Sequence, residues 1–202
     1  MYKMILAILL SLIISGCQTA ISEKNDQKSY RVYDNAANIN ISSRKGLATQ
    51  FPYSDKYSLT AGHVNDFTKN IHFVSHHPNC DVAILDKSYD SNNNHPDFEE
   101  TKLGKSVTMY GHAGGKTKEE IVSGNIIEYK VISLGEYTKN CRVAVVNARV
   151  KKGMSGGPVY DQAGKIVGVI FAVNSDKNKN LSYFVPYESF SEWLIEQKKH
   201  NI

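Results

Sequence analysis

The chain has 202 residues, 41% of them hydrophobic, with 24 Lys and Arg against 20 Asp and Glu and a formal net charge of +4. That length is enough for one domain with a sizeable buried core. The charge excess is too small and too scattered to point to nucleic acid as a partner.

The N-terminus opens with one positive charge at Lys3, followed by the almost wholly apolar stretch Ile5 to Ile14 and the small residues Ser15-Gly16 before Cys17. The stretch is shorter than the ~20 residues of a spanning helix, so residues 1–16 read as a secretory signal. Ser-Gly-Cys resembles a bacterial lipobox. The resemblance implies cleavage before Cys17, acylation of the new N-terminus, palmitate included, and a lipid anchor in the bacterial cell envelope. Gln18 in place of an Asp favours the outer membrane if the envelope is Gram-negative. Residues 17–38 are polar and aperiodic and read as a tether.

A domain is expected over 39–199. Gly46 to Phe51 and Tyr57 to Thr60 read as two strands joined by the turn Ser54-Asp55-Lys56, with His63 just past the second. Ile71 to Ser75 alternates as a strand, His76 to Asn79 is turn-like, and Cys80 to Leu85 opens an apolar strand with Asp81 near its start. His72, His76, His77 and Cys80 are spaced closely enough to meet at one ion. No second pair completes a structural site, so they read as solvated turn residues and no metal is expected. Asp90 to Glu100 is rich in Asn, Asp and Ser and reads as the link between two units, about 39–95 and about 101–186.

The second unit repeats the pattern. Ser106 to Gly111 is a strand, and the glycine run Gly111 to Lys116 lacks the spacing of a phosphate loop and reads as a hairpin. Ile121 to Ile132 gives one or two strands around Gly124, and Arg142 to Arg149 alternates toward Gly153-Met154-Ser155-Gly156-Gly157-Pro158. A turn at Asp161 to Gly164 leads into an apolar strand, and Leu181 to Pro186 is the last. Residues 187–199 switch to helical spacing, with Phe190, Trp193, Leu194 and Gln197 on one face. Many short strands and one terminal helix give an all-β fold of two antiparallel barrels with a cleft between them.

The glycine-flanked Ser155 carries the chemistry. Glycine reaches backbone conformations that let the N–H groups of Gly153 and Ser155 converge in front of the Ser155 hydroxyl, as an oxyanion hole requires. A serine hydroxyl is a poor nucleophile until an imidazole takes its proton and a carboxylate holds that imidazole in one tautomer. His63, Asp81 and Ser155 supply these groups in one of the chain orders known for such triads. Asp86, Asp90 and Asp97 are the alternatives to Asp81.

On Thr60 to His63, Asp81 to Leu85 and Gly153 to Val159, the chain resembles the trypsin-like (chymotrypsin-fold) serine peptidases, in a layout similar to the bacterial HtrA-type and glutamyl-endopeptidase-type enzymes. The resemblance covers roughly Lys45 to Leu194. It implies two antiparallel six-stranded β-barrels with a C-terminal helix, His63 as general base, Asp81 as its orienter, Ser155 as nucleophile, a protein or peptide substrate and no cofactor. By the same match Arg149, Phe171, Ala172 and Val173 border the substrate pocket. Arg149 takes the place where tryptic enzymes carry an acid, which disfavours cleavage after Lys or Arg. Met154 stands where digestive relatives place the Asp that receives a freed N-terminal ammonium.

Beyond Cys17, Cys80 and Cys141 remain as an even pair in an oxidising compartment, and whether they are bridged depends on their Cα separation. Two other functions use the same residues: a catalytically silent barrel that binds a partner at the envelope, and an esterase with the same acyl-transfer chemistry.

Overall fold

The computed structural model describes residues 30–32, 48–67, 71–86, 96–115, 118–173 and 179–202. The signal segment 1–16, Cys17, Asp90 and residues 33–47 of the tether and domain start lie outside them, as do Lys116 and the side chain of Val173.

Five short strands make the first unit: β1 (Tyr30–Val32), β2 (Ala48–Pro52), β3 (Ser58–Thr60), β4 (Phe73–His76) and β5 (Ala83–Leu85), antiparallel in the order β1-β2-β3-β5-β4. The second unit is a closed barrel of β6 (Ser106–Gly111), β7 (Glu120–Leu134), β8 (Thr138–Val146), β9 (Pro158–Tyr160), β10 (Ile166–Val173) and β11 (Ser182–Pro186), in the order β10-β11-β8-β7-β6-β9. Of the two six-stranded barrels expected, the second is a closed six-stranded barrel, and among the described residues the first unit is a five-stranded sheet. Its strands are three to five residues long. The sheet covers its apolar face by packing on the barrel.

Several element boundaries differ from the expected ones. Tyr30–Val32, inside the polar tether by composition, pairs with β2 through Tyr30↔Gln50 and Val32↔Ala48. Of the one or two strands expected around Gly124 there is one, β7, which extends to Glu120 and Leu134 and keeps Gly124 in register with Val107 of β6. The terminal helix α1 (Ser191–Lys199) begins later than its spacing suggested, after a 3₁₀ turn at Tyr187–Ser189. Leu194 is its buried residue, and Phe190, just before the helix, is buried as well. Lys198 and Lys199 lie in the last turn, where cations favour the helix dipole.

Two large apolar clusters organise the interior, beside a smaller one of Ala48, Ala61, Val64 and Leu85. One fills the barrel with Met109, Ile126, Val146, Val159, Ile170 and Phe184. The other joins Phe51, Leu59, Val82 and Ile84 of the sheet to Val143, Val169 and Phe171 of the barrel and to Phe190 and Leu194 of the terminal segment. Each such side chain, fully buried, contributes about 1.5–3 kcal/mol, so the sheet and barrel are welded along one seam. A disulfide between Cys80 and Cys141 ties the start of the Asp81 segment to β8 across 61 residues. A closed loop of that length stabilises by about 4 kcal/mol in the chain-entropy account. The chemistry-bearing residues all lie along this seam.

Candidate active site

His63 stands in the 3₁₀ turn Gly62–Phe67 that follows β3, and Asp81 lies just before β5, which pairs with β3 through Thr60↔Ala83. That pairing brings two residues 18 positions apart side by side. Asp81 Oδ2 is 2.5 Å from His63 Nδ1, and Asp81 Oδ1 accepts the backbone N–H of His63 at 2.7 Å. The Asp81 side chain is 3% exposed and that of His63 is 27% exposed. A carboxylate so deeply buried requires donors, and His63 supplies both bonds, which fixes the ring while leaving one edge of it open.

The segment carrying Asp81 is held from several sides. Lys139 N–H donates to Asn79 O at 2.8 Å, and the disulfide grips the adjacent Cys80. His77 Nδ1 accepts from the backbone N–H groups of Asn79 (3.1 Å) and Cys80 (2.8 Å), and its ring meets Trp193 of α1 edge-on. His77 is thus a half-buried structural acceptor and not the solvated turn residue that composition suggested. Cys80, being bridged, is not available as a metal-binding thiolate, and among the described residues no His, Cys, Asp or Glu group is arranged to hold a metal ion.

Burial lowers the pKa of His77 from 6.5 to about 4. Because the folded form resists protonation, the stability His77 supports is complete above pH 6.5 and is lost as pH falls toward 4. We expect a loss of about 1–2 kcal/mol across that window after allowing for solvent screening. Thermal melts at pH 7.5 and 4.5 measure it. The difference should shrink in His77→Gln, and an equal difference in both proteins would assign the effect elsewhere.

Ser155 sits between β8 and β9, on the turn Gly153–Gly157, which enters the seam from the barrel side. Gly153 has φ +99 and Gly156 φ +86, backbone regions that side chains with a Cβ rarely adopt. A Cβ at Gly153 would stand 2.6 Å from His112 O, and one at Gly156 would overlap Thr49 O and Thr60 Oγ1 and lie 2.8 Å from Ala61 N, two residues before His63. Glycine at 156 thus lets the serine turn press against the strand end that bears the histidine. Ser155 O accepts Thr49 N–H at 2.8 Å, and Ser155 Oγ makes a long 3.4 Å bond to Phe171 O.

The carbonyls around the serine are pinned. Lys152 O accepts from Gly114 N–H at 2.8 Å and Met154 O from Gly157 N–H at 3.0 Å. In a trans peptide the N–H points away from its carbonyl, so these bonds direct the N–H groups of Gly153 and Ser155 to the opposite side. Among the described residues neither N–H donates to a backbone carbonyl. Gly114 belongs to the 3₁₀ turn Ala113–Gly115, so the run read as a plain hairpin is a buttress of the serine turn. Met154 is fully buried and its side chain fills the barrel cluster.

Of the residues expected at the substrate pocket, Arg149 is half-buried and donates from Nη1 to Lys179 O at 3.0 Å. Phe171 presents its carbonyl toward Ser155 while its ring is buried in the seam cluster, 6.4 Å from the ring of Tyr183. Ala172 is half-buried. Asp86 lies 3.6 Å from exposed His72, and Asp97 contributes its carbonyl to Ile166 N–H, so neither is paired with His63 in these contacts. Thr49 and Gly114 carry no sequence signal for this site: a threonine in a strand and a glycine in a turn are ordinary there.

A family model described as "Trypsin-like peptidase domain" matches residues 31–169. Protease Do-like 2, chloroplastic, of Arabidopsis thaliana is 27% identical over 128 residues, spanning 60% of this chain and 21% of that protein. The chain thus spans about a fifth of the length of that curated relative. Among solved structures, the active form of the Rv3671c protease of M. tuberculosis superposes with a TM-score of 0.65 at 24% identity, covering 83% of this chain and 78% of that one. The HtrA-type protease AlgW with decapeptide superposes with a TM-score of 0.65 at 17% identity, covering 86% of this chain and 63% of that one. At these identities the two structures establish a chymotrypsin-like fold with a C-terminal helix.

Proposed function

The chain belongs to the trypsin-like peptidase domain family, and from that premise we propose that it is a serine endopeptidase in which His63, Asp81 and Ser155 are the catalytic residues. The observation that carries the reading is the two-point grip of Asp81 on His63, on both the ring nitrogen and the backbone N–H, beside a serine turn docked on the same strand end. With Nδ1–H held by Asp81, His63 Nε2 is the basic nitrogen and takes the Ser155 proton as Oγ attacks the scissile carbonyl. The N–H groups of Gly153 and Ser155 receive the developing oxyanion. His63 returns the proton to the leaving amine, and a water then hydrolyses the acyl-enzyme with His63 again as base. A peptide library incubated with the protein tests the reading: new N-termini are expected with the wild type and none with Ser155→Ala, and cleavage that persists in that variant would contradict it.

We also propose that activity needs no trimming to a new N-terminus. Met154 is uncharged and buried in the barrel cluster, and an ammonium beside it would be an unpaired buried charge. A protein beginning near Lys24 with extra residues in front should turn over substrate at the rate of the untagged protein. Activity that arises only after a protease trims it would sink this.

The lipid anchor at Cys17 remains part of the proposal on its sequence motif alone. Cys17→Ser is expected to leave the protein unprocessed or soluble, read by membrane fractionation and by mass spectrometry of the N-terminus. Normal processing and membrane recovery of that variant would reject acylation at Cys17.

A further inference from the structure

We propose that Thr49 is a positioning residue that holds the oxyanion-binding turn in its active arrangement, an inference that rests on the serine-peptidase reading. Thr49 lies in β2, on the opposite side of the seam from the serine turn, and is fully buried. Its hydroxyl donates to Gly153 O at 2.8 Å and accepts the backbone N–H of His112 at 2.9 Å. Its own N–H donates to Ser155 O at 2.8 Å, and its carbonyl accepts from Thr60 Oγ1 at 2.7 Å. One side chain and its peptide group thus join the strand leading to His63, the turn that carries Ser155 and the end of β6.

The carbonyls of four successive residues, Lys152 to Ser155, each have a partner, and Thr49 supplies two of the four, at Gly153 and Ser155. The remaining two are held by Gly114 and Gly157. The peptide between Gly153 and Met154 lies between the two peptides whose N–H groups face the oxyanion. Gly153 has no Cβ and sits at φ +99, so little intrinsic resistance opposes rotation of that peptide. A rotation there would swing the Gly153 and Ser155 N–H groups out of convergence, and the Thr49 hydroxyl opposes it directly.

The same hydroxyl couples the turn to its buttress. His112, whose N–H donates to Thr49 Oγ1, follows the last residue of β6 and precedes the Ala113–Gly115 turn, whose Gly114 N–H holds Lys152 O. Thr49 Oγ therefore fixes both the middle of the serine turn and the loop that pins its first carbonyl. A valine has the shape of threonine without these bonds, and leaves a buried N–H and a buried C=O unpaired.

Thr49→Val and Thr49→Ser, assayed beside the wild type with one peptide ester and one peptide boronic acid, test this. The boronate forms a tetrahedral adduct on Ser155 with an oxygen in the oxyanion site, so its affinity reports the hole itself. For Thr49→Val we expect kcat to fall on the order of 10- to 100-fold with KM nearly unchanged, and boronate affinity to fall in parallel. Affinity for the cleaved product peptide should not change, and Thr49→Ser, which keeps the hydroxyl, should retain most of kcat. A general loss of folded protein would lower the active fraction without weakening the boronate selectively. Wild-type kcat in folded Thr49→Val overturns the inference. So does a folded Thr49→Ser with kcat below about a tenth of wild type, which serves if the valine variant does not fold. A wild-type protein that neither turns over the ester nor binds the boronate overturns the serine-peptidase reading and this one together, whereas an active wild type with an unaffected Thr49→Val overturns this one alone.

Discussion

Ser155→Ala and His63→Ala are each expected to lower kcat by on the order of 10⁶-fold, because members of a nucleophile, base and orienter unit act together and losing one costs nearly as much as losing all. The two variants should differ in stability. Among the described residues Ser155 Oγ makes one long bond, to Phe171 O, so its removal costs little. His63→Ala strips Asp81, which is 2% exposed, of its ring partner and leaves one backbone donor, at a cost of about 1–3 kcal/mol. Rates from a chromogenic peptide and melting temperatures from the same preparations check both halves. Activity in Ser155→Ala above about a thousandth of wild type would assign the nucleophile elsewhere.

Asp81→Asn should lower kcat by on the order of 10⁴-fold with the fold intact. The direction follows from the second bond that Asp81 makes. Its Oδ1 accepts the backbone N–H of His63 at 2.7 Å, and an asparagine would keep its carbonyl there. The amide NH₂ would then face His63 Nδ1, which must become the acceptor, moving the ring proton to Nε2. In that tautomer His63 has no lone pair to offer Ser155. The proton resonance on His63 nitrogen, followed with nitrogen-15 labelling, should show the tautomer change. A variant within tenfold of wild type would reject Asp81 as orienter. Asp86, next to exposed His72, and Asp97 would then be tested in turn.

In the candidate site, the pairing of His63 with Asp81 was legible in the sequence where the extent of the first sheet was not. The residue types at His63, Asp81 and Ser155 announce themselves, since their chemistry is needed at any geometry. The β3–β5 pairing then explains how a separation of 18 positions suffices: the intervening β4 is four residues long, and the chain doubles back at once. Open versus closed sheets were not legible, because alternation marks the faces of a strand but says nothing of whether edge strands meet. β1 was hidden for a related reason. Tyr30–Val32 is three residues in a polar stretch, and its pairing with Gln50 and Ala48 is dictated by the partner strand.

Thr49 and His77 show what sequence reading misses at a site. Both act through hydrogen bonds to backbone atoms, Thr49 across 104 and 63 positions and His77 within its own turn. Backbone atoms are the same at every residue, so no pattern of side chains marks such partners. The bridge between Cys80 and Cys141 was open for a similar reason, since their 5.1 Å Cα separation exists only once β8 lies beside the Asp81 segment.

The central claim is that Ser155 is an activated nucleophile, and a fluorophosphonate probe reads activation directly because it reacts with a serine only where a base removes the proton and an oxyanion hole receives the charge. Folded wild-type protein is treated with the probe, digested and mapped by mass spectrometry. The account predicts one adduct, on the peptide containing Ser155, at near-stoichiometric yield and lost in His63→Ala. A folded protein that takes up no probe, or carries it on another serine, would contradict it.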